Sequence, residues 1–179
     1  AGVSRTPYMQ YNYNVKVYAD GRIDFAFDGN IRESVIWLPR FGLEFSMPIN
    51  DAPFTYFGYG PLESYCDMHH AAPMGLYEST AEKEYVPYVR PQDHGNHTKV
   101  QELTIGNLTF RGKDTFECCV SRYSLDNLYA ANHTDELVSD GKVHLRVDYK
   151  VSGIGSNSCG PALSRKHRLE EKDIRFTFS

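Results

Sequence analysis

Two carboxylates, Glu63 and Asp67, stand four residues apart among Tyr56, Tyr59 and Tyr65, close enough in sequence to act as a general acid and base if the chain folds them into one cleft. A carboxylate that follows a Gly-Pro turn, as both do after Gly60-Pro61, also serves as an acceptor for backbone N–H groups, and this structural use is the commoner. The imidazoles of His69-His70 and of His94 and His97 raise metal binding, because histidine is a frequent ligand. His94 to His97 reads as a loop, and no third Cys or His sits at a recognised ligand spacing, so no metal is expected. Ser158 lacks the Gly-x-Ser-x-Gly elbow, and Gly58-x-Gly60 lacks the further glycine and the strand-to-helix setting of a phosphate loop. Cys159 becomes a nucleophile only beside a histidine base that yields a thiolate, and a packed or loop cysteine is the simpler reading. No catalytic residue is therefore assigned within the chain.

At 179 residues, one domain spanning 1–179 with a real core is expected, burying about 70% of the surface of the unfolded chain. Apolar residues at 41% and charged residues at 23% match ordinary globular usage and argue against disorder, coiled coil or fibre. A net charge of −4 and a pI near 6.0 offer no field for a phosphate backbone, so nucleic acid is not an expected partner. The longest apolar runs are a few residues and no basic-then-apolar leader opens the chain, so neither a membrane span nor a signal peptide is expected. Cys66, Cys118, Cys119 and Cys159 form no C-x-x-C pair and read as free thiols. Adjacent Cys118 and Cys119 in a strand point to opposite faces, which puts at most one in the core. Asn-x-Thr triplets begin at Asn96, Asn107 and Asn132, and read as turn and strand-end residues rather than glycan acceptors.

The elements that must position these side chains are mostly strands. Val15 to Tyr18 and Arg22 to Phe27 alternate around Asp20-Gly21 and predict a hairpin. Val35 to Leu38, Leu43 to Met47, Phe54 to Tyr59, Thr115 to Val120, Val143 to Val151 and Ile174 to Phe178 predict further strands, with a second hairpin around Gly106-Asn107. Only residues 124–137 look helical, with Ser124 as cap and Leu125, Leu128 and Tyr129 on one face, as one helix or two short turns. Many short strands with frequent turns predict an all-β antiparallel sandwich, with a small barrel as the alternative. Thirteen tyrosines and ten phenylalanines exceed the needs of one thin core and imply an interface.

Five motifs occur in the same order as in the C-terminal domain of the β-galactosidases of glycoside hydrolase family 2. Leu38-Pro39-Arg40-Phe41-Gly42-Leu43 resembles that family's Leu-Pro-Arg-x-Gly-Leu strand. Phe57-Gly58-Tyr59-Gly60-Pro61-Leu62-Glu63-Ser64-Tyr65-Cys66-Asp67 resembles its Tyr-Gly-x-Gly-Pro-x-Glu-x-Tyr-x-Asp-Arg signature, with Phe57 for Tyr and Met68 for Arg. Pro87 to His97, including Pro91, Gln92 and Gly95, resembles Pro-Tyr-Val-x-Pro-Gln-Glu-x-Gly-x-Arg, with Asp93 for Glu and His97 for Arg. Ser121 to Ser124 with Asn132 to Leu137, and Gly153 to Pro161, complete the set.

The resemblance implies a β-supersandwich similar to galactose mutarotases, standing at the end of a multidomain retaining enzyme for terminal β-D-galactose of the lactose type and shortened at its start. It implies that both catalytic glutamates lie on a barrel domain elsewhere, and that any Mg or Na ions are bound elsewhere, leaving this chain without a cofactor. Partners implied are the remaining domains and, at a shared active site, the β-galactoside, approached by Gly155, Ser156, Asn157, Ser158 and Cys159, with Cys159 where some members place a Trp. An edge left open by missing strands implies self-association. A cytoplasmic bacterial location is implied, with export as the alternative. A mutarotase-like epimerase, or a carbohydrate-binding module using Tyr59, Tyr65 or Trp37 as platforms, are the competing functions.

Overall fold

The computed structural model describes residues 7–48, 53–155 and 159–179. Nine strands account for most of them: β1 Met9–Val17, β2 Ile23–Ile31, β3 Arg40–Met47, β4 Phe54–Tyr59, β5 Met74–Ser79, β6 Asn96–Ile105, β7 Leu108–Ser121, β8 Val143–Val151 and β9 Asp173–Phe178. All pairings are antiparallel. They form two layers, β1-β2-β9 and β3-β8-β7-β6-β4-β5, joined by β7, whose Gly112 pairs with Phe178 of β9 while its far half pairs with β8. This is the all-β sandwich that the alternation predicts.

Between the layers, Phe25 stacks on Phe178 at 4.8 Å and meets Phe45 edge-on at 5.9 Å, and Phe27 lies 4.6 Å from Phe41. Val100, Leu103, Phe116, Cys118, Leu145 and Val147 extend this core under β6, β7 and β8. Full burial of a side chain of this size is worth about 1.5–3 kcal/mol; Phe178 is buried and Phe25, Phe27 and Phe45 partly so, and together they tie the layers to each other.

Both hairpins form. The first closes through the Tyr18 N–H to the Arg22 carbonyl at 2.9 Å and the Gly21 N–H to the Tyr18 carbonyl at 3.1 Å, a loop longer than a two-residue turn. Val35 to Leu38 is not a strand. The Leu38 N–H reaches the Leu169 carbonyl at 3.0 Å, but the Ser152 hydroxyl sits between their other backbone groups, donating to the Leu38 carbonyl at 2.7 Å and accepting from the Leu169 N–H at 2.9 Å. A ladder cannot continue past that hydroxyl. The strand β5 has no sequence counterpart, because Met74-Gly75-Leu76-Tyr77 alternates too weakly. The helical segment splits into α1, Leu125–Ala130, and a single 3-10 turn at Thr134–Glu136. Ser124 Oγ accepts the Asn127 N–H at 3.2 Å as the predicted cap, and Leu128 is buried, whereas Tyr129 is exposed and does not share its face.

Cys118 and Cys119 are both buried, which corrects the expectation that at most one would be. Their side chains do point to opposite faces, but the second face is also covered. On that side Asn96 bonds to the Ser64 carbonyl, Cys119 to the His94 carbonyl and Arg146 to Asp93, all from the segments that flank β5, and a polar layer is enclosed there. Asn96, Glu117, Cys119, Ser121, His144, Arg146 and Asp148 are all buried. Among the described residues, no helix is long and apolar enough to cross a membrane.

Candidate functional site

The polar layer is organised by two guanidinium groups. Arg40 of β3 pairs with Asp148 of β8 through two of its nitrogens and with Asp93 through Nη1. Arg146 of β8 donates to Asp93 Oδ1 at 2.8 Å and to Cys119 Sγ at 2.6 Å, and the Cys119 thiol lies 3.0 Å from the His94 carbonyl. Asp93 thus bridges two arginines and fixes the 91–95 segment onto the sheet. Buried charges persist only when paired in this way. Burial pushes the Cys119 thiol up to about 11, with Arg146 pulling against it, and burial likewise raises Cys66 to about 11, so neither is a thiolate at neutral pH.

Glu63 is the centre of a second knot. Tyr88 Oη donates to Oε1, while Oε2 accepts the Gly95 N–H at 2.9 Å and the Tyr65 hydroxyl at 3.4 Å. Burial first, and then the hydrogen bond to Glu63, raise Tyr88 to about 12. Gly60-Pro61 is a cis peptide, Gly58 packs against Val100, and the Gln92 carbonyl accepts His94 Nδ1 at 2.7 Å, with Pro91 buried beside it. Tyr65 is 4% exposed, which removes it as a sugar platform. Trp37 lies under Arg168 at 5.9 Å, and Tyr59 stacks on His69 at 5.8 Å.

Asp67 does not join Glu63. Its carboxylate accepts the N–H groups of Ile154 at 3.1 Å and Gly155 at 2.8 Å, across more than 80 residues of sequence. The two acidic residues that looked like a catalytic pair therefore hold two different segments. Gly155 is the one substrate-loop candidate anchored here and Cys159 is exposed, while Ser156, Asn157 and Ser158 lie outside the described residues.

His97 lies in β6 and not on a loop. Its Nε2 meets Glu84 at 2.8 Å, and its Nδ1 is 3.0 Å from the Tyr56 hydroxyl. Among the described residues, no three His, Cys, Asp or Glu side chains are placed to hold a metal ion.

Glu117 is not singled out by the sequence, and the structure buries it in the layer with a raised pKa. Burial pushes its carboxyl up to about 7, while Asn96 Nδ2 at 2.7 Å and the Val151 backbone pull it down. It borders a cleft of about 550 Å³ shared with Tyr59, His69, Lys99, Tyr149 and Lys166. The signal for this layer lies in the charged residues at alternate positions of a strand, Arg146 and Asp148.

A family model described as β-galactosidase small chain matches residues 2–179. The β-galactosidase of Actinobacillus pleuropneumoniae is 36% identical over 176 residues, covering 98% of this chain and 18% of that protein. Those of Vibrio vulnificus and Staphylococcus xylosus are each 32% identical, over 88% and 91% of this chain and 15% and 17% of theirs. The chain thus spans less than a fifth of the length of these relatives.

Proposed function

The chain belongs to the β-galactosidase small-chain family, and on that premise we propose that it is a non-catalytic C-terminal domain of a β-galactosidase acting on terminal β-D-galactose residues. In this reading it completes the wall of the active site with the segment that begins at Gly153 and supplies the face on which neighbouring domains rest. The observation that carries it is the match of nearly the whole chain to a small part of much longer β-galactosidases. The geometry supports it from the other side, since the carboxylates of the family motifs are engaged in holding polypeptide: Glu63 by two tyrosines and a backbone N–H, Asp67 by two backbone N–H groups, Asp93 by two arginines. A retaining glycosidase needs two carboxyl groups about 5–5.5 Å apart, one free to attack carbon and one free to shuttle a proton. Those glutamates, and any Mg or Na ions, belong in this proposal to the rest of the enzyme.

Purified chain, incubated with a chromogenic aryl β-galactoside, is expected to give no turnover above buffer. A β-galactosidase truncated to lack this segment is expected to gain activity when the chain is added. Turnover by the chain alone, co-purifying with it through gel filtration, overturns the proposal.

A further inference from the structure

The corner Cys66-Asp67 meets both sides of the segment that leaves β8. On the outgoing side, Asp67 takes the N–H groups of Ile154 and Gly155, one on each carboxylate oxygen. On the returning side, the His167 carbonyl accepts the Gly153 N–H at 2.8 Å and lies 3.5 Å from the Cys66 thiol. Leu163 packs over Gly155, and the Leu163 carbonyl accepts Arg168 Nε at 2.8 Å. A side chain at Gly153 would displace the Asp67 carboxylate. A Cβ built there falls 2.5–2.6 Å from the Asp67 carboxylate, nearer than real Cβ atoms approach anything. Side chain and backbone are thus fitted to each other at a position that the sequence separates widely.

We propose that Asp67 is a positioning residue of the β-galactosidase reaction, acting through the Gly153–Gly155 backbone to fix the direction in which the chain enters the substrate wall. The assignment to substrate rests on the domain role proposed above, while the clamp itself is a property of this chain. A carboxylate accepting two adjacent backbone N–H groups at both oxygens fixes a segment in translation and in rotation, as a single hydrogen bond does not. A group that holds a binding wall without touching the bond that breaks governs substrate affinity more than the chemical step.

Hydrogen exchange followed by NMR on the chain tests the clamp. In Asp67→Ala, protection at the Ile154 and Gly155 amides is expected to fall more than about tenfold, with core amides such as Val100 and Leu145 unchanged. Asp67→Asn, which keeps one acceptor oxygen, is expected to retain the protection of one of the two. Gly153→Ala, which drives a methyl group into the carboxylate, is expected to reproduce the Asp67→Ala pattern. Persistent protection at both amides in Asp67→Ala overturns the clamp. In a β-galactosidase that carries this chain, Asp67→Asn is expected to raise KM for lactose several-fold with kcat held. Loss of amide protection with KM unmoved leaves the clamp standing and overturns both the positioning role and the reading of this domain as part of the substrate wall. An equal fall in kcat and in kcat/KM, with KM unchanged, overturns the positioning role alone.

Discussion

Glu117 faces one like charge and one opposite charge across the sheet: Asp148, its partner in the β7–β8 register, raises its pKa, and Arg40 lowers it. Asn96 on β6 gives it a hydrogen bond, and the neighbouring thiols of Cys66 and Cys118 are themselves raised by its charge. Burial outweighs the favourable contacts, so the folded chain holds this proton up to about 7, against an ordinary value of 4.5. The sign follows directly. Below 4.5 both folded and unfolded chains are protonated at this site and its contribution to stability is complete. As the pH rises toward about 7 the unfolded chain has released the proton and the folded chain has not, so stability falls across that window. Glu117→Gln, neutral at every pH and still an acceptor for Asn96 Nδ2, is expected to melt with the parent chain near pH 4.5 and above it at pH 8.5. The gain there should be roughly 1–3 kcal/mol, or several degrees in Tm. Thermal unfolding followed by near-UV circular dichroism at the two pH values measures this, and parallel curves for the two proteins count against it.

At the scale of elements, the turn between β6 and β7 isolates backbone preference from packing. Gly106 adopts φ +58°, and a Cβ there meets nothing within 4 Å. A two-residue hairpin of type II′ reserves its first central position for glycine, since that backbone region costs other residues about 1–2 kcal/mol. Gly106→Val is therefore expected to lower the urea midpoint by the equivalent of about 1–2 kcal/mol without changing the slope of the transition, which equilibrium denaturation reads. A larger loss, or a changed slope, means that the turn carries packing after all. Elements of this kind were legible in sequence. Gly106-Asn107, Asp20-Gly21 and the long alternation of Val143 to Val151 each declare their geometry locally. Val35 to Leu38 reads as a strand because its apolar run is local, whereas the Ser152 hydroxyl that breaks the ladder comes from more than 100 residues away. The site was legible in its residues but not in their pairing. Alternation along β8 reports that its two faces differ in chemistry, and it does not report that the polar face is covered. Contacts from elsewhere in the chain, Asp93 to Arg146 and Arg40 to Asp148, make Arg146 and Asp148 part of a buried ion cluster, and separate partners in the fold part Glu63 from Asp67.

For the whole molecule, the two faces of the sandwich are unequally covered. The polar outer face around β7 and β8 is covered, but among the described residues β1 is an edge strand whose side chains after Met9 are all exposed. Tyr11, Tyr13 and Val15 lie on the same side of β1 as Phe25 and Phe27 do of β2, by register, and would face the opposite layer if it extended beneath them. Among the described residues that layer ends at β3, which pairs only with β8. What remains is an apolar groove of about 340 Å³ between Tyr11, Tyr13, Phe27, Phe41 and Phe178, beside an open strand edge whose only charge is Lys16. Contiguous aromatic surface next to an unprotected edge associates in water, because burying it releases roughly 25 cal/mol per Å² while the edge offers unmatched backbone hydrogen bonds. The isolated chain is accordingly expected to show a mass by light scattering that rises with concentration above the 20.4 kDa of one copy. Tyr11→Lys combined with Val15→Lys, which places charge on the groove side of β1 and leaves the phenylalanine ladder intact, is expected to return the mass to that of one copy. A parent chain that stays at one copy through the millimolar range would mean that Tyr11 and Tyr13, stacked on Phe27 and Phe25 at 5.1 and 6.3 Å, shield the groove by themselves.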